Sequence, residues 1–174
     1  MRQNYEIKAR IFNCDIAKWK AMAFIKKFKN KQHDVQHQKD VYFKIRGKRL
    51  KLRIINKESG NLILYKRDEK SVKRISKYLF ADTNNPEELE KILRNFFDVL
   101  VVVEKKREMF IADNIRIHID KVKGLGNFIE FEVIYNSFES AKKIMADLIN
   151  YFELVETGFI KGSYSDLLLK KKEK

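Results

Sequence analysis

The sequence predicts an α+β protein built on an antiparallel sheet. Three observations carry this: about eight segments alternate apolar and polar residues, three or four segments show helical spacing, and the alternating segments concentrate charge on one parity. Antiparallel strands of this kind turn the charged face to water. The alternative is a closed barrel whose polar interior holds a ligand.

Asn4 to Phe12 alternates Tyr5, Ile7, Ala9 and Ile11 against Asn4, Glu6, Lys8 and Arg10, which reads as a strand. Asp15 signals a helix start, with Ile16, Trp19, Ala23 and Phe24 as the apolar stripe and a lysine-rich end at Lys26 to Lys31. Val35 to Phe43 and Arg49 to Ile55 are strands joined through Gly47. Ser59-Gly60-Asn61 reads as a hairpin turn into Leu62 to Arg67, and Val72 to Phe80 as a further strand. Asp82-Thr83-Asn84-Asn85-Pro86 is the strongest punctuation, and Glu87-Glu88 suits the first turn of a helix reaching about Phe97. Val99 to Phe110, Ile115 to Val122 and Phe128 to Tyr135 are strands, the last two separated by Gly124-Leu125-Gly126. Ser137 to Phe152 is a helix with Phe138, Ala141, Ile144, Met145, Leu148 and Ile149 on one side. A short helix near Ser165 to Leu169 runs into a solvated tail at Lys170 to Lys172. Trp19 and the Phe138/Met145 stripe are expected in the core, and His33 and His37 on the surface.

The 174 residues, 44% hydrophobic, suit one domain over 1–174 with residues 170–174 as a lysine-rich tail. No apolar run approaches the roughly 20 residues of a membrane span, so no membrane partner is expected. The first residues lack the apolar core of a signal peptide. Cys14, the single cysteine, cannot form an internal disulfide or a zinc site, and a reducing cytoplasm is the expected setting. Thirty-eight Lys and Arg against 24 Asp and Glu give +14, which favours an anionic partner.

The placement of the charges narrows that partner. Arg49, Lys51 and Arg53 share one face, as do Lys105 and Arg107, while Arg116, His118 and Asp120 share another and Glu130 and Glu132 a third. Glu130 and Glu132 lie roughly 6–7 Å apart on their strand. Poorly solvated, they repel by about 2.5 kcal/mol at an effective dielectric of about 20. A divalent cation reverses that cost, and oxygen ligands suit Mg²⁺ or Mn²⁺ rather than zinc. Arginines suit phosphate oxygens. One ligand class calls for both features: a metal-bound triphosphate. A bare nucleic-acid surface explains the arginines but not the carboxylates, and a Glu-x-Glu pair alone is an ordinary solvated face.

Asn4-Tyr5-Glu6-Ile7-Lys8 resembles the opening Glu-x-Glu-x-Lys signature of the CYTH superfamily, the triphosphate tunnel metalloenzymes. Asp40-Val41-Tyr42-Phe43, Arg49-Leu50-Lys51-Leu52-Arg53, Leu64-Tyr65-Lys66-Arg67, Val103-Glu104-Lys105-Lys106-Arg107, Asp120 to Glu132 and Gly162 to Leu168 follow in the same order. The pattern is most similar to bacterial class IV adenylyl cyclase-like proteins. The resemblance implies a closed eight-stranded antiparallel barrel with flanking helices, its tunnel holding a nucleoside triphosphate or another triphosphate. It implies Glu6, Asp120, Glu130 and Glu132 as ligands of Mg²⁺ or Mn²⁺. It implies Lys8, Arg49, Arg53, Lys66, Lys105, Arg107 and Arg116 on the phosphates, with Lys51 and His118 as further substrate contacts. Ser163 and Tyr164 would close one mouth, and a homodimer is the assembly implied.

The implied activity is an adenylyl cyclase that converts ATP to cyclic AMP and pyrophosphate. A triphosphatase acting on inorganic triphosphate, thiamine triphosphate or a nucleotide uses the same side chains, and a non-catalytic nucleotide- or RNA-binding module is the third alternative. Asn4 departs from the signature by replacing a charged glutamate with a neutral amide, which leaves the number of metal ions open.

Overall fold

The computed structural model describes residues 3–65 and 78–173. Eight strands run in the spatial order β1-β8-β7-β6-β2-β3-β4-β5, each antiparallel to its neighbours. They are β1 (Gln3–Arg10), β2 (Lys31–Phe43), β3 (Arg49–Ile55), β4 (Ser59–Tyr65), β5 (Tyr78–Thr83), β6 (Val99–Ala112), β7 (Ile115–Val122) and β8 (Gly126–Tyr135). Helices α1 (Cys14–Ile25), α2 (Pro86–Phe96), α3 (Phe138–Phe152) and α4 (Tyr164–Lys172) complete the fold, with a single 3-10 turn at Glu156–Gly158.

Among the described residues the sheet does not close, so of the expected barrel the structure shows the eight antiparallel strands and the flanking helices. β1 and β5 lie at its two ends, and among the described residues no pairing joins them. Among the described residues β5 pairs with β4, and its Leu79 and Phe80 are 73% and 59% exposed. The expected strand from Val72 begins outside the described residues.

Two apolar clusters cover the outer face. α1 and α3 pack over β1, β8, β7 and the far half of β6, burying Phe110, Ile117, Ile119, Ile129, Phe131 and Val133. α2 covers β2 and β3, setting Leu93 against Val41, Phe43, Leu50, Leu52 and Ile54. Pro86 opens α2 and Glu87 and Glu88 fill its first turn, as the positive end of the helix dipole favours. Because these outer residues are apolar at every second position, the polar parity of each strand faces the other way. Lys8, Lys51, Lys105, Arg107, Asp120 and Glu130 are nonetheless all buried. The sheet curls over its own charged face, and these side chains bury one another.

Several local expectations are corrected. Asn13 caps α1, its side chain accepting from the amides of Asp15 and Ile16 at 2.9 and 3.1 Å. The buried stripe of α1 is Ala17, Ala21 and Ile25, so Trp19 is 71% exposed rather than core. The β3–β4 reversal falls at Asn56 and Lys57, both with positive φ of 52° and 66°, and not at Ser59-Gly60-Asn61. Lys170 to Lys172 continue α4, where cations suit the negative helix end. Among the described residues, no helix is long and apolar enough to cross a membrane.

Candidate functional site

The inner face gathers side chains from six strands and the start of α4. On β3, Lys51 and Arg53 both reach Asp40 of β2: Lys51 donates at 2.9 Å, and Arg53 donates twice at 2.7 and 2.8 Å. Asp40 stands opposite Arg53 in the ladder, so register alone brings the fork to the carboxylate. Arg107 of β6 likewise stands opposite Asp120 of β7 and donates to both its oxygens at 2.7 and 2.6 Å. Lys105 adds a longer contact at 3.4 Å, and the Tyr164 hydroxyl of α4 donates to Asp120 at 2.7 Å. The Tyr164 ring lies 4.4 Å from the Lys8 ammonium and 5.1 Å from that of Lys105.

Glu130 of β8 joins this knot to β1. Its carboxylate sits 2.6 Å from Lys8 and 3.2 Å from Arg107, and 3.1 Å from Nδ1 of His118. Glu132 accepts from Asn4 at 2.9 Å and from Arg116 at 3.3 Å. Glu6 stands directly opposite Glu132 and lies 3.6 Å from Lys8. At the α4 end, Arg49 pairs with Asp166 at 2.9 Å and donates to Ser163, which forms a capping box with Asp166.

Burial shifts these groups, and neighbours decide the direction. Desolvation, reinforced by Arg107, pushes Lys105 down to about 7 despite Asp120 beside it. Lys51 falls to about 8 for the same reason, with Arg53 as the reinforcing cation. Burial alone would raise Asp40, Asp120 and Glu130, but Arg53 and Lys51, Arg107 and Lys105, and Lys8 and Arg107 respectively hold them below the usual carboxylate range. Burial and Arg107 lower His118. Burial and Asp120 raise the Tyr164 phenol.

The structure therefore brings together Lys8, Lys51, Arg53, Lys105, Arg107, Arg116, His118, Glu6, Asp120, Glu130 and Glu132, with Arg49, Ser163 and Tyr164 at one end. Lys66 lies outside the described residues. Sequence reasoning assigned no role to Asp40 or Asp166. The signal for Asp40 was present: it shares a strand parity with Tyr42 between the apolar Val41 and Phe43. Asp166 follows Ser163 by three residues, the spacing of a capping box.

The donor set fits a hard cation in part. Glu6, Glu130 and Glu132 offer oxygens on adjacent strands, and the direct opposition of Glu6 and Glu132 is unfavourable without a cation between them. Asp120 is fully buried with both oxygens occupied, so a metal there would have to displace Arg107 or Tyr164. Among the described residues no three Asp, Glu, His or Cys side chains already stand as a metal cluster.

Residues 2–157 match the CYTH domain family. The chain belongs to the CYTH family. That family consists of metal-dependent enzymes acting on triphosphates. The PH1012 protein of Pyrococcus horikoshii is similar in structure, with a TM-score of 0.78 and 26% identity over 96% of this chain and 99% of that one. A conserved hypothetical protein of Pyrococcus furiosus gives a TM-score of 0.74 at 23% identity, over 94% and 99% of the two chains. A Vibrio parahaemolyticus protein provisionally named an adenylate cyclase gives 0.71 at 21% identity, over 96% and 98%. No curated protein matches by sequence.

Proposed function

We propose that the chain is a metal-dependent enzyme that binds a nucleoside triphosphate on its inner face and converts ATP to cyclic AMP and pyrophosphate. The observation that carries this is the burial of opposite charges together. Lys8, Arg49, Lys51, Arg53, Lys105, Arg107 and Arg116 share one face with Glu6, Asp40, Asp120, Glu130, Glu132 and Asp166. Among the described residues the excess is a single formal positive charge. A bare triphosphate would leave this face strongly anionic, whereas a triphosphate carrying one or two divalent cations keeps it near neutrality.

In this reading Lys51, Arg53, Lys105 and Arg107 exchange carboxylate partners for phosphate oxygens, with Lys8, Arg49 and Arg116 completing the cradle and His118 lining it. Lys66 belongs to the same set by its place in the sequence pattern. Glu6, Glu130 and Glu132 hold Mg²⁺ or Mn²⁺, and Asp120 joins them if Arg107 moves to the substrate. When bound, the cation eases deprotonation of the ribose 3′-hydroxyl and stabilises charge on the leaving group. The 3′-hydroxyl gives its proton to solvent, its oxygen attacks the α-phosphorus, the bond from that phosphorus to the β-bridging oxygen breaks, and pyrophosphate leaves. Ser163 and Tyr164 keep the α4 end of the site closed. The whole-chain sequence pattern and the provisional name of the Vibrio neighbour support the choice of cyclase.

The test is product analysis with ATP and inorganic triphosphate side by side in Mg²⁺ or Mn²⁺. Cyclic AMP and pyrophosphate are expected from ATP, and E130Q and E132Q are expected to lower that rate by at least ~100-fold while the protein stays folded. Orthophosphate as the product would make the chain a triphosphatase and end the cyclase reading.

A further inference from the structure

The inner face of β2 carries a side-chain hydrogen-bond chain that the phosphate site does not use. Asp34, Gln36 and Gln38 alternate along the strand on the parity of Asp40. Asp34 accepts from the Gln36 amide nitrogen at 2.9 Å, and the Gln36 oxygen accepts from the Gln38 nitrogen at 2.7 Å. The direction of this chain is fixed from one end. An ionised carboxylate only accepts, so Asp34 holds the Gln36 nitrogen toward itself, which turns the Gln36 oxygen toward Gln38 and the Gln38 nitrogen toward Gln36. The free end is Oε1 of Gln38. That residue is 5% exposed, and its Oε1 has no hydrogen-bond partner among the described residues. An unpaired buried carbonyl is costly enough that such groups ordinarily find a donor.

The surroundings restrict that donor. Gln38 stands opposite Lys105 in the β2–β6 ladder, and Asp40 beside it gathers Lys51 and Arg53. Neighbouring cations disfavour a metal ion at this oxygen. Phosphate oxygens are acceptors and gain nothing from another acceptor. A neutral donor, a hydroxyl or an amine, satisfies it. Metal-bound inorganic triphosphate has no such group, but a nucleotide has ribose hydroxyls and, on adenine, an exocyclic amine.

We propose that Gln38 forms a subsite for a neutral hydrogen-bond donor of the nucleoside and thereby selects nucleotides over inorganic triphosphate. The proposal rests on the reading of the inner face as a triphosphate site and not on the choice between cyclase and triphosphatase. Asp34 and Gln36 are positioning residues that aim the Gln38 oxygen.

The experiment compares the full chain with Gln38→Met, which keeps the length of the side chain and removes its polar atoms. Calorimetric titration in Mg²⁺ uses α,β-methylene-ATP, which cannot release pyrophosphate, and inorganic triphosphate. The substitution should weaken the nucleotide analogue by about five- to tenfold and leave inorganic triphosphate within about twofold. The melting temperature should change little, because losing the Gln38–Gln36 hydrogen bond offsets the removal of the unpaired oxygen. Gln38→Leu provides the same comparison if the methionine variant folds poorly. A 2′,3′-dideoxy form of the analogue separates the two donors. It should bind both proteins equally if a ribose hydroxyl is the partner, and still lose affinity in the variant if the base amine is. Unchanged affinity for the analogue, or a parallel loss for both ligands, overturns the proposal. Failure of the unsubstituted chain to bind either ligand removes the triphosphate reading itself, whereas orthophosphate release from ATP removes only the cyclase.

Discussion

Lys105 is a residue whose chemistry burial changes. Burial beside Arg107 lowers its ammonium to about 7 from 10.5, and Lys51 beside Arg53 falls to about 8. A phosphate chain restores the partner that burial removes, so binding should draw protons onto these amines. At pH 8, calorimetric titration of triphosphate in buffers of different ionisation enthalpy is expected to report proton uptake, reduced in K105M. Zero uptake would mean that neither lysine meets the ligand. The same shifts bear on stability. Between the lowered folded values and the ordinary lysine range the unfolded chain binds more protons, so these two groups make stability rise as pH increases from about 7 toward 10.5. The lowered carboxyls of Asp40, Asp120 and Glu130 act at the other end. Their contribution is present above the ordinary carboxylate range and is lost as pH falls through and below it. Urea midpoints measured from pH 3 to pH 10 should rise across both windows, and K105M should flatten the upper one.

Among the elements, β4 passes close to the start of α2 at Gly60. A Cβ at Gly60 would meet the Arg53 carbonyl oxygen at 2.7 Å and Cβ of Pro86, the first residue of α2, at 2.9 Å. G60A is therefore expected to lower unfolding free energy by about 1–3 kcal/mol in urea titration. G158A, whose nearest neighbour is 3.9 Å away, is expected to change it by no more than ~0.5 kcal/mol. β3 and β7 were legible to the residue in the sequence, because strict alternation under a buried outer face leaves one register possible. The charged inner parity followed from the same alternation, and with it most of the candidate site. The β3–β4 turn was misread because Ser59-Gly60-Asn61 has turn composition, while the reversal uses Asn56 and a lysine in the left-handed region. Trp19 was misread because α1 is narrow at its contact and packs through alanines. The pairing of Asp40 with Arg53 depends on which strands become neighbours, and that of Asp166 with Arg49 on where α4 docks; spacing along one chain specifies neither.

For the molecule as a whole, the sequence carries a net +14, while the charges of the inner face nearly balance among the described residues. Binding at the inner face should accordingly depend on the metal-bound form of the ligand and not on net attraction. Inorganic triphosphate with Mg²⁺, at a hundredfold excess over its dissociation constant, is expected to stabilise the fold by about 2.7 kcal/mol. Thermal unfolding with EDTA in place of Mg²⁺ should show a much smaller gain. Equal stabilisation in both conditions would mean that Glu6, Glu130 and Glu132 hold no cation.

The pairing of β1 with β8 has a further consequence during synthesis. Gln3 aligns with Tyr135 and Arg10 with Phe128, so once made β1 waits more than a hundred residues for β8, its partner in the ladder. Until β8 emerges, Tyr5, Ile7 and Ala9 have no apolar surface to cover them, and Lys8 has no Glu130. Until then the nascent chain carries an unpaired strand, which a chaperone or a neighbouring nascent chain can engage.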